Sequence, residues 1–297
     1  MDEQEWLADR FEENRAHLRA VAYRMLGSLA EADDAVQDTW LRVSRAGVGE
    51  VENLGKWLTT IVARVCLNLL RSRNLRREEA LGMHLPDPVI ESPAEQALVA
   101  DSVSLALLVV LDTLGPAERL AFVLHDMFQL PFDEIALMVG RTPAATRQLA
   151  SRARRRVRGA EIATPDADLA RQRLVVDAFF QAARGGDFDA LVALLDPDVV
   201  LRADAGATRQ GASVVIRGAA AVARQALGGG SGGDRVRQAA VLRPVLVNGA
   251  AGVVITVGGR PFAVMGFTVA KGRIVEIDTI AAPERVRRIA AAVLTDE

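Results

Sequence analysis

The sequence has few of the residues that mark secreted, membrane-spanning or metal-binding proteins. Its one cysteine, Cys66, cannot form an internal disulfide, and no apolar run approaches the roughly 20 residues that span a bilayer. The acidic start, MDEQEW, lacks the basic and apolar regions of a signal peptide. His125 has no second histidine or cysteine nearby, which favours a packed side chain over a metal ligand. We therefore expect a cytoplasmic protein with no metal and no cofactor.

Lysine and net charge are also scarce. Only Lys56 and Lys271 are lysines, and a formal net charge of −2 leaves no overall basicity. A surface that binds nucleic acid must therefore come from local segregation of charge. The length of 297 residues and the hydrophobic content of 50% predict two or three domains with packed cores.

The stretch from Pro131 to Arg158 predicts a helix-turn-helix. Gly140 tolerates a positive φ at the end of a first helix, and Thr142 and Pro143 supply the N-cap and first residue of a second helix. Seven arginines and no acid lie between Arg141 and Arg158. This density of positive charge suits phosphate neutralisation, with base edges read near the start of the second helix. A solvated basic surface helix is the alternative.

Helical periodicity gives that second helix two different faces. At about 100° per residue, one face is apolar or small and the other is polar. We expect the first residues of the polar face to read bases and the later arginines to grip phosphates. The predicted DNA-binding residues of this helix are Arg147, Gln148, Ser151, Arg152, Arg154, Arg155 and Arg158.

Two earlier helices carry opposite charge. Between Glu31 and Leu41 there are four acids and no base, whereas between Asn53 and Arg77 there are six bases and no acid. The acidic helix is predicted to bury the side that bears Trp40, and its other side is either a plain solvated face or a docking face for a basic partner. That other side consists of Asp34, Gln37, Asp38 and Leu41.

The basic helix follows a glycine-bearing loop from Ala46 to Asn53. One side is a candidate DNA-binding face, or else a solvated face whose last arginines favour the helix dipole. The predicted buried stripe consists of Leu58, Ile61, Val62, Val65 and Leu69. Residues 78–93 contain three prolines and predict an extended linker. Further helices are predicted at about 94–113 and 117–128, ahead of the helix-turn-helix.

Three motifs resemble those of a known family. They are Asp34 to Trp40 (DAVQDTW), Trp57-Leu58 at the start of the basic helix, and Leu114 to Arg119 (LGPAER) followed by DEIA and TRQLASRAR. In this order and spacing they resemble regions 2 and 4 of an extracytoplasmic-function sigma factor of bacterial RNA polymerase, across about residues 10 to 160. The resemblance implies an alternative sigma factor, which binds core RNA polymerase and promoter DNA and directs transcription initiation without catalysis.

The resemblance also implies roles for the charged faces. The acidic face would dock on the polymerase clamp helices, and the arginine-rich helix would read the minus-thirty-five element. The loop from Gly47 to Asn53 and the basic helix would capture the minus-ten element. Where the family often has Asn and Asp, this chain has Arg64 and Asn68, so its minus-ten preference stays open. The predicted minus-ten contacts are Lys56, Trp57, Thr60, Arg64, Asn68 and Arg71.

Beyond a hinge near Gly159 to Asp166, β-branched runs separated by glycine predict an α+β domain. The hairpin turn Lys271-Gly272 joins its last two strands. Helices are predicted at 168–184, 188–195 and 219–227, and strands at 199–203, 236–247, 252–257, 262–270 and 273–280. This order resembles the SnoaL-like, nuclear-transport-factor-like cone, in which a curved sheet wraps helices around an apolar pocket. A small-molecule ligand in that pocket stays an open alternative.

A known subgroup of these sigma factors carries such a tail in place of a separate regulator. Its linker, loop and terminal motifs resemble His84 to Pro88, Asp204 to Ala207 and Ala282 to Val286 here. The resemblance implies a regulatory tail that contacts the linker. The predicted contact residues are Leu85, Pro86, Asp87, Pro88, Asp204, Pro283 and Glu284.

The expected fold class is multidomain, with two all-α sigma domains followed by an α+β SnoaL-like cone, and the second sigma domain contains the helix-turn-helix. The predicted segments are 1–77, a linker at 78–93, 94–160 and 161–297. Two other functions are a ligand-responsive helix-turn-helix regulator and an isomerase or cyclase activity in the tail. The acidic motif and the separate basic helix count against the first, and the absence of histidine from the tail counts against the second.

Overall fold

The computed structural model describes residues 3–46, 53–77, 85–91, 103–160, 162–204, 214–228 and 239–294. The loop from Gly47 to Glu52, most of the sequence-predicted linker and the start of the following helix lie outside these residues, as do 205–213 and 229–238. Contacts group the chain into two compact units. The first takes residues 1–81 and 107–161, and the second takes residues 82–106 and 162–297. The four segments predicted from the sequence therefore fall into two packed bodies.

The first unit is helical. Its helices are α1 (Glu3–Leu26), α2 (Leu29–Ala46), α3 (Leu54–Arg77), α4 (Leu105–Asp112, which begins in the second unit), α5 (Pro116–Phe122), α6 (Phe132–Val139) and α7 (Pro143–Gly159). The break between α1 and α2 is at Gly27, which has a φ of 72°. A π-helical turn, Val123–Met127, continues α5 where the sequence predicted a regular helix.

The buried side of α3 differs from the predicted stripe at one end. Leu58, Val62 and Val65 are buried, but Leu69 is 40% exposed and Leu70 is buried instead. Leu58, Val62, Cys66 and Leu70 are all buried and lie four residues apart, so the buried stripe is inclined to the helix axis. An inclined stripe is the pattern expected when the neighbouring helices cross at an angle. The prediction for Leu69 was therefore wrong.

The helix-turn-helix forms as the sequence predicted. Gly140 ends α6 in the left-handed conformation, with a φ of 68°. The Thr142 side chain accepts a hydrogen bond from the Ala145 N–H at 3.2 Å, and Pro143 occupies the first turn of α7. His125 stacks on Phe132 with ring centroids 3.7 Å apart, which confirms the packed role predicted for this histidine.

In the second unit, the described residues form one seven-stranded sheet, in the order β1-β4-β5-β6-β7-β2-β3. All neighbouring strands are antiparallel except β2 and β7. The strands are β1 (Ile90–Glu91), β2 (Leu195–Asp204), β3 (Val214–Arg217), β4 (Ala240–Val247), β5 (Ala250–Val257), β6 (Arg260–Ala270) and β7 (Arg273–Ile280). The helices are α8 (Leu169–Gly185), α9 (Phe188–Leu194), α10 (Ala219–Gly228) and α11 (Pro283–Leu294).

The sequence missed β1, β3 and α11. It found the other five strands, and the turn between β6 and β7 has positive φ at both Lys271 (54°) and Gly272 (74°), as predicted. Both missed strands are short and lie at the two edges of the sheet.

The two faces of the sheet pack against different elements. The inner face packs against α8, α9 and α10, with Phe267 of β6 in the shared core. Its neighbour Gly266 points to the other face, where an added Cβ would lie 2.9 Å from Val247 Cγ1 and 3.7 Å from Leu105 Cδ2. Leu105 begins α4, so the start of α4 covers part of the outer face.

Candidate nucleic-acid interface and linker clamp

The polar face of α7 is open. Arg147, Gln148, Ser151, Arg155 and Arg158 are all exposed, while the opposite side buries small residues of the domain core. The Arg147 guanidinium lies over the Phe132 ring of α6 at 5.6 Å, which fixes it beside the start of α7. This arrangement presents an amide, a hydroxyl and three arginines from one helix face.

Not every arginine of α7 is equally available. Arg154 Nε donates to Asp126 Oδ1 at 2.6 Å, and Arg156 Nη1 donates to Glu118 Oε2 at 2.9 Å. Arg152 lies 3.9 Å from the same glutamate. Arg155 and Arg158 form no ion pair with a described residue. Two of the predicted DNA contacts, Arg152 and Arg154, thus have acidic neighbours within their own domain.

The predicted minus-ten residues share one side of α3. Lys56, Arg64, Asn68 and Arg71 are exposed, and Trp57 and Thr60 are half-buried. Asn53 caps this helix, because its Oδ1 accepts the Lys56 N–H at 3.0 Å. The loop ahead of Asn53, which the resemblance also assigned to this element, lies outside the described residues.

The acidic face of α2 is exposed and the opposite side is core. Asp34, Gln37 and Leu41 are exposed, and Asp38 is half-buried and pairs with Arg42 at 2.9 Å. On the other side, Trp40 packs against Phe11 with ring centroids 5.1 Å apart. The helix therefore presents two carboxylates, an amide and an apolar side chain together.

Within the first unit, the region before the linker packs directly on the region after it. Arg119 is fully buried; its Nε donates to the Arg24 carbonyl at 3.3 Å and its Nη1 donates to Asp112 Oδ1 at 3.1 Å. The Phe128 ring lies between the Arg24 guanidinium, 4.8 Å away, and the edge of His17, 5.3 Å away. Burial, and then the positive charge of Arg24, lower the pKa of His17, which favours the neutral ring in this contact.

A second contact joins the same two regions at the sides that are predicted to face DNA. Lys56 Nζ of α3 lies 3.4 Å from Glu134 Oε1 of α6, the first helix of the helix-turn-helix. Both side chains are exposed, so the pair contributes little energy. It shows that a predicted minus-ten residue lies close to the helix-turn-helix in this arrangement.

The second unit holds part of the sequence-predicted linker by a buried cluster of charges. The Asp87 side chain is 2% exposed and accepts Arg285 Nε at 2.8 Å and Arg288 Nη2 at 3.2 Å. Arg285 also donates to the Leu85 carbonyl, at 2.6 Å, and to Asp204. Asp204 Oδ2 in turn accepts the Leu85 N–H at 3.2 Å. We call this set of five residues the charge clamp.

Asn248 holds the chain at two places, one in the predicted linker and one ten residues past its end. Its Oδ1 accepts the Val89 N–H at 3.1 Å, and its Nδ2 donates to the Val103 carbonyl at 2.8 Å. The next residue of the linker, Ile90, starts β1, which pairs with β4. Both ends of the span from Val89 to Val103 are therefore fixed at one side chain.

Of the predicted linker contacts, Leu85, Asp87 and Asp204 meet in the charge clamp, and Pro86 and Pro88 lie in the same segment. Pro283 and Glu284 are exposed at the start of α11, and the next residue, Arg285, makes the contact. Sequence reasoning missed Arg285, Arg288 and Asn248. Asn248-Gly249 between two apolar runs is a hairpin signal that could have marked the last position.

The comparisons with known proteins agree with this geometry. Sigma-70 region 2 matches residues 10–76, and Sigma-70, region 4 matches residues 104–157. The chain is 37% identical to the ECF RNA polymerase sigma factor SigJ of Mycobacterium tuberculosis over 287 residues, which are 93% of this chain and 91% of that protein. The chain belongs to the extracytoplasmic-function sigma factor family.

This sigma factor has further relatives of the same kind. It is 40% identical to the probable ECF RNA polymerase sigma factor SigI of Mycobacterium tuberculosis over 207 residues, 68% of this chain and 70% of that protein. The crystal structure of the SigJ protein of that organism is 34% identical, with a TM-score of 0.72, and the match covers 94% of this chain and 97% of that one.

Two predictions from the sequence are thereby confirmed. The protein is a promoter-recognition sigma factor that binds core RNA polymerase and promoter DNA. Its fold is two helical sigma domains followed by an α+β SnoaL-like domain, in which α8, α9 and α10 pack on one face of the sheet. The match to the SigJ structure extends over this tail. Among the described residues, no helix is long and apolar enough to cross a bilayer, and no group of three or more acidic, histidine or cysteine residues is placed to hold a metal.

Proposed function

We propose that the α+β domain restrains this sigma factor by holding its linker, and that it does so without catalysis. In the same proposal, the face of Asp34, Gln37, Asp38 and Leu41 docks on polymerase. The exposed sides of α3 and α7 contact the minus-ten and minus-thirty-five elements. The observation that carries the restraint is that Asn248 bonds both Val89 and Val103.

A sigma factor must span two promoter elements at once. The minus-ten and minus-thirty-five elements are nominally about 25 base pairs apart, or about 85 Å along B-form DNA. In the first unit, however, the two sigma regions pack on each other through Arg119 and Phe128, and Lys56 lies 3.4 Å from Glu134. This packed arrangement is a resting state, and initiation requires the two regions to separate.

The linker sets how far they separate. Because Val89 and Val103 bond the same Asn248 side chain, the chain between them contributes almost nothing to the reach of the linker. If it were released and extended, those roughly 14 residues would add about 45 to 50 Å. Holding the linker therefore favours the resting state, and releasing it favours the open one.

The charge clamp makes release costly. Asp87, Asp204 and Arg285 are largely buried, and release of the linker breaks the ion pairs of Asp87 with Arg285 and Arg288 and leaves Arg285 with Asp204 alone. Other contacts, such as those made on polymerase binding, have to compensate for these lost pairs. The clamp therefore suits a switch that opens in the holoenzyme.

The tail lacks the arrangement expected of an isomerase or cyclase. The apolar cavity of the cone is lined, among the described residues, by no histidine and no carboxylate. Among the described residues of the tail, Asp278 is the candidate for a catalytic role, because burial raises its pKa to about 6. It lines a different cavity, together with Gln172 and Asn248, and not the apolar one. Its carboxylate is paired with Arg202 at 3.1 Å, and the next residue, Thr279, is the one that lines the apolar cavity.

Run-off transcription by core polymerase with full-length sigma factor tests the restraint. Asn248 has a φ of 50°, so Asn248→Gly removes its amide without straining the turn. Loss of two hydrogen bonds shifts the balance toward the open state by about tenfold. We expect more transcript at limiting sigma factor, and Lys271→Gly, at a φ of 54° in another turn, is the matched control. Equal transcript from Asn248→Gly and wild type would refute the restraint.

A further inference from the structure

A cavity of about 310 Å³ lies between α8, α10 and the inner face of the sheet. Its walls are mostly apolar and partly aromatic, with Phe179, Phe180, Phe262 and Met265 among the lining residues. Phe179 and Phe180 meet edge to face, with ring centroids 5.5 Å apart. Ligand pockets of proteins are usually about 300–1,000 Å³, so this one fits a small molecule.

The cavity has few polar groups, and the charge among them is positive. Among the described lining residues there is one cation, Arg184, and no acid. Arg184 is exposed, so it lies at the cavity mouth; its Nη2 donates to the Ala240 carbonyl at 3.0 Å, and it forms no ion pair with a described residue. The exposed Gln225 and the half-buried Thr279 add an amide and a hydroxyl.

We propose that this cavity binds a small, ring-containing apolar molecule that carries one anionic group. The rings pack among the phenylalanines, where edge-to-face contact favours aromatic ligands. The anionic group pairs with Arg184 at the mouth, where a guanidinium can bind a carboxylate or sulfonate by charge-assisted hydrogen bonds. No acidic side chain of the described lining opposes that charge.

The cavity and the charge clamp share two adjacent strands. Ala203 of β2 lines the cavity, and the next residue, Asp204, points to the clamp. Across the parallel pair, Ala203 lies opposite Thr279 of β7, which also lines the cavity. The Ala281 N–H, from a third lining residue, donates to the Asp204 carbonyl at 2.8 Å. A ligand on the inner face thus contacts the strands that hold the linker on the outer face.

From this arrangement we predict that a bound ligand stabilises the contacts between the second unit and the linker. This prediction rests on the proposed function. A molecule that binds only the ordered cone stabilises it by RT ln(1 + [L]/Kd), where [L] is the free ligand concentration. Ordering β2 and β7 fixes Asp204, which accepts the Leu85 N–H. Occupancy of the cavity therefore favours the resting state.

Fluorescence titration of the full chain with 1-anilinonaphthalene-8-sulfonate, a fused-ring sulfonate, tests the binding site. We expect saturable binding at one site. Ala263→Phe and Ala226→Phe fill the cavity and should weaken binding at least about tenfold, a change of about 1.4 kcal/mol. Ala220→Phe, on the exposed side of α10, is the matched control, and circular dichroism checks that each variant folds. Equal binding by folded cavity variants and wild type would overturn the site.

Competition identifies the class of ligand. Displacement of the probe by 1-naphthoic acid, but not by decanoic acid or uncharged naphthalene, supports a ring-containing anion. Displacement by decanoic acid alone would overturn the ring requirement, and equal displacement by naphthalene would overturn the role of Arg184. No displacement by any of the three would overturn the site.

Hydrogen exchange of the peptide covering residues 85–91 tests the coupling. We expect saturating probe to slow exchange at Leu85 and Val89 at least about threefold in wild type and to leave Ala263→Phe unchanged. Unchanged exchange in wild type would overturn the coupling, and faster exchange would overturn its direction. A different result would count against the proposed restraint itself. In that case Asn248→Gly and wild type would exchange at the same rate in the absence of any probe.

Discussion

Asn248 and Val89 are joined by two hydrogen bonds. The Asn248 N–H donates to the Val89 carbonyl at 2.9 Å, and the Val89 N–H donates to Asn248 Oδ1 at 3.1 Å. The pair lies outside the strand pairing of Ile90 with Val247 and extends it by one residue. The Asn248 side chain also donates a hydrogen bond to the Val103 carbonyl. This one turn residue therefore adds to the pairing of β1 with β4, which is only two residues long.

We predict that Asn248→Gly speeds hydrogen exchange at Val89. The backbone bond to the Val89 carbonyl remains, but the side-chain acceptor for the Val89 N–H is lost. A lost hydrogen bond of about 0.5–1.5 kcal/mol corresponds to roughly two- to tenfold faster exchange through local opening. Mass spectrometry of the linker peptide measures it, and Lys271→Gly should leave it unchanged. No difference between the two variants would contradict the anchoring role.

We predict that replacing Asp34 and Asp38 together by lysine abolishes binding to core polymerase without unfolding the chain. Both acids lie on the side of α2 away from the Trp40 packing, so the core is not disturbed. Placing like charges against a basic partner costs several kcal/mol. Pull-down with core polymerase measures the loss. The control replaces Asp177 and Asp189, which are exposed acids of the tail, by lysine. If the α2 double variant binds polymerase as well as this control does, the docking face is ruled out.

We predict different effects for two sets of arginines on α7. Arg147→Ala should reduce discrimination at one base position by about 1–3 kcal/mol. Arg155→Ala and Arg158→Ala should weaken every sequence alike and lower the salt dependence, as expected for phosphate contacts. Binding to a series of promoter variants at two salt concentrations separates the cases. Arg156→Ala, whose guanidinium pairs with Glu118, serves as the control, and uniform weakening by Arg147→Ala would reverse the assignment.

We predict that Asp278 makes the tail less stable as the pH rises. Burial raises its pKa from 3.8 to about 6, although the charge of Arg202 opposes the shift. As the pH falls, the Asp278 carboxylate therefore binds a proton in the folded state before it does so in the unfolded state. Its stabilisation is complete below about pH 4 and is lost as the pH rises through about 6, by up to roughly 3 kcal/mol. Denaturant unfolding measures the free energy of unfolding of wild type and Asp278→Asn from pH 4 to 7, and we expect the difference between them to change with pH. Asp177→Asn is the control. A difference that stays constant with pH would contradict the shift in pKa.

The sequence by itself determined the parts that depend on local chemistry. The turn of the helix-turn-helix follows from Gly140, Thr142 and Pro143, whose backbone preferences act within a few residues. The charged faces of α2, α3 and α7 follow from helical periodicity, and the motifs on them carried the family resemblance. The turn at Lys271-Gly272 is of the same local kind. Such features need no distant partner, so they can be predicted from a short stretch of sequence.

Only the tertiary structure decided which distant residues meet. β1 is two residues long and forms because β4, far along the chain, offers it an edge, and the exposure of Leu69 depends on how α1 and α2 cross α3. Arg285 and Asp87 are 198 positions apart, and neither carries a local signal of the other. Their pairing depends on the folded sheet, which places the start of α11 and the end of β2 against one segment of the linker. Long-range burial of charge is a property of the folded chain, and no short stretch of sequence specifies it.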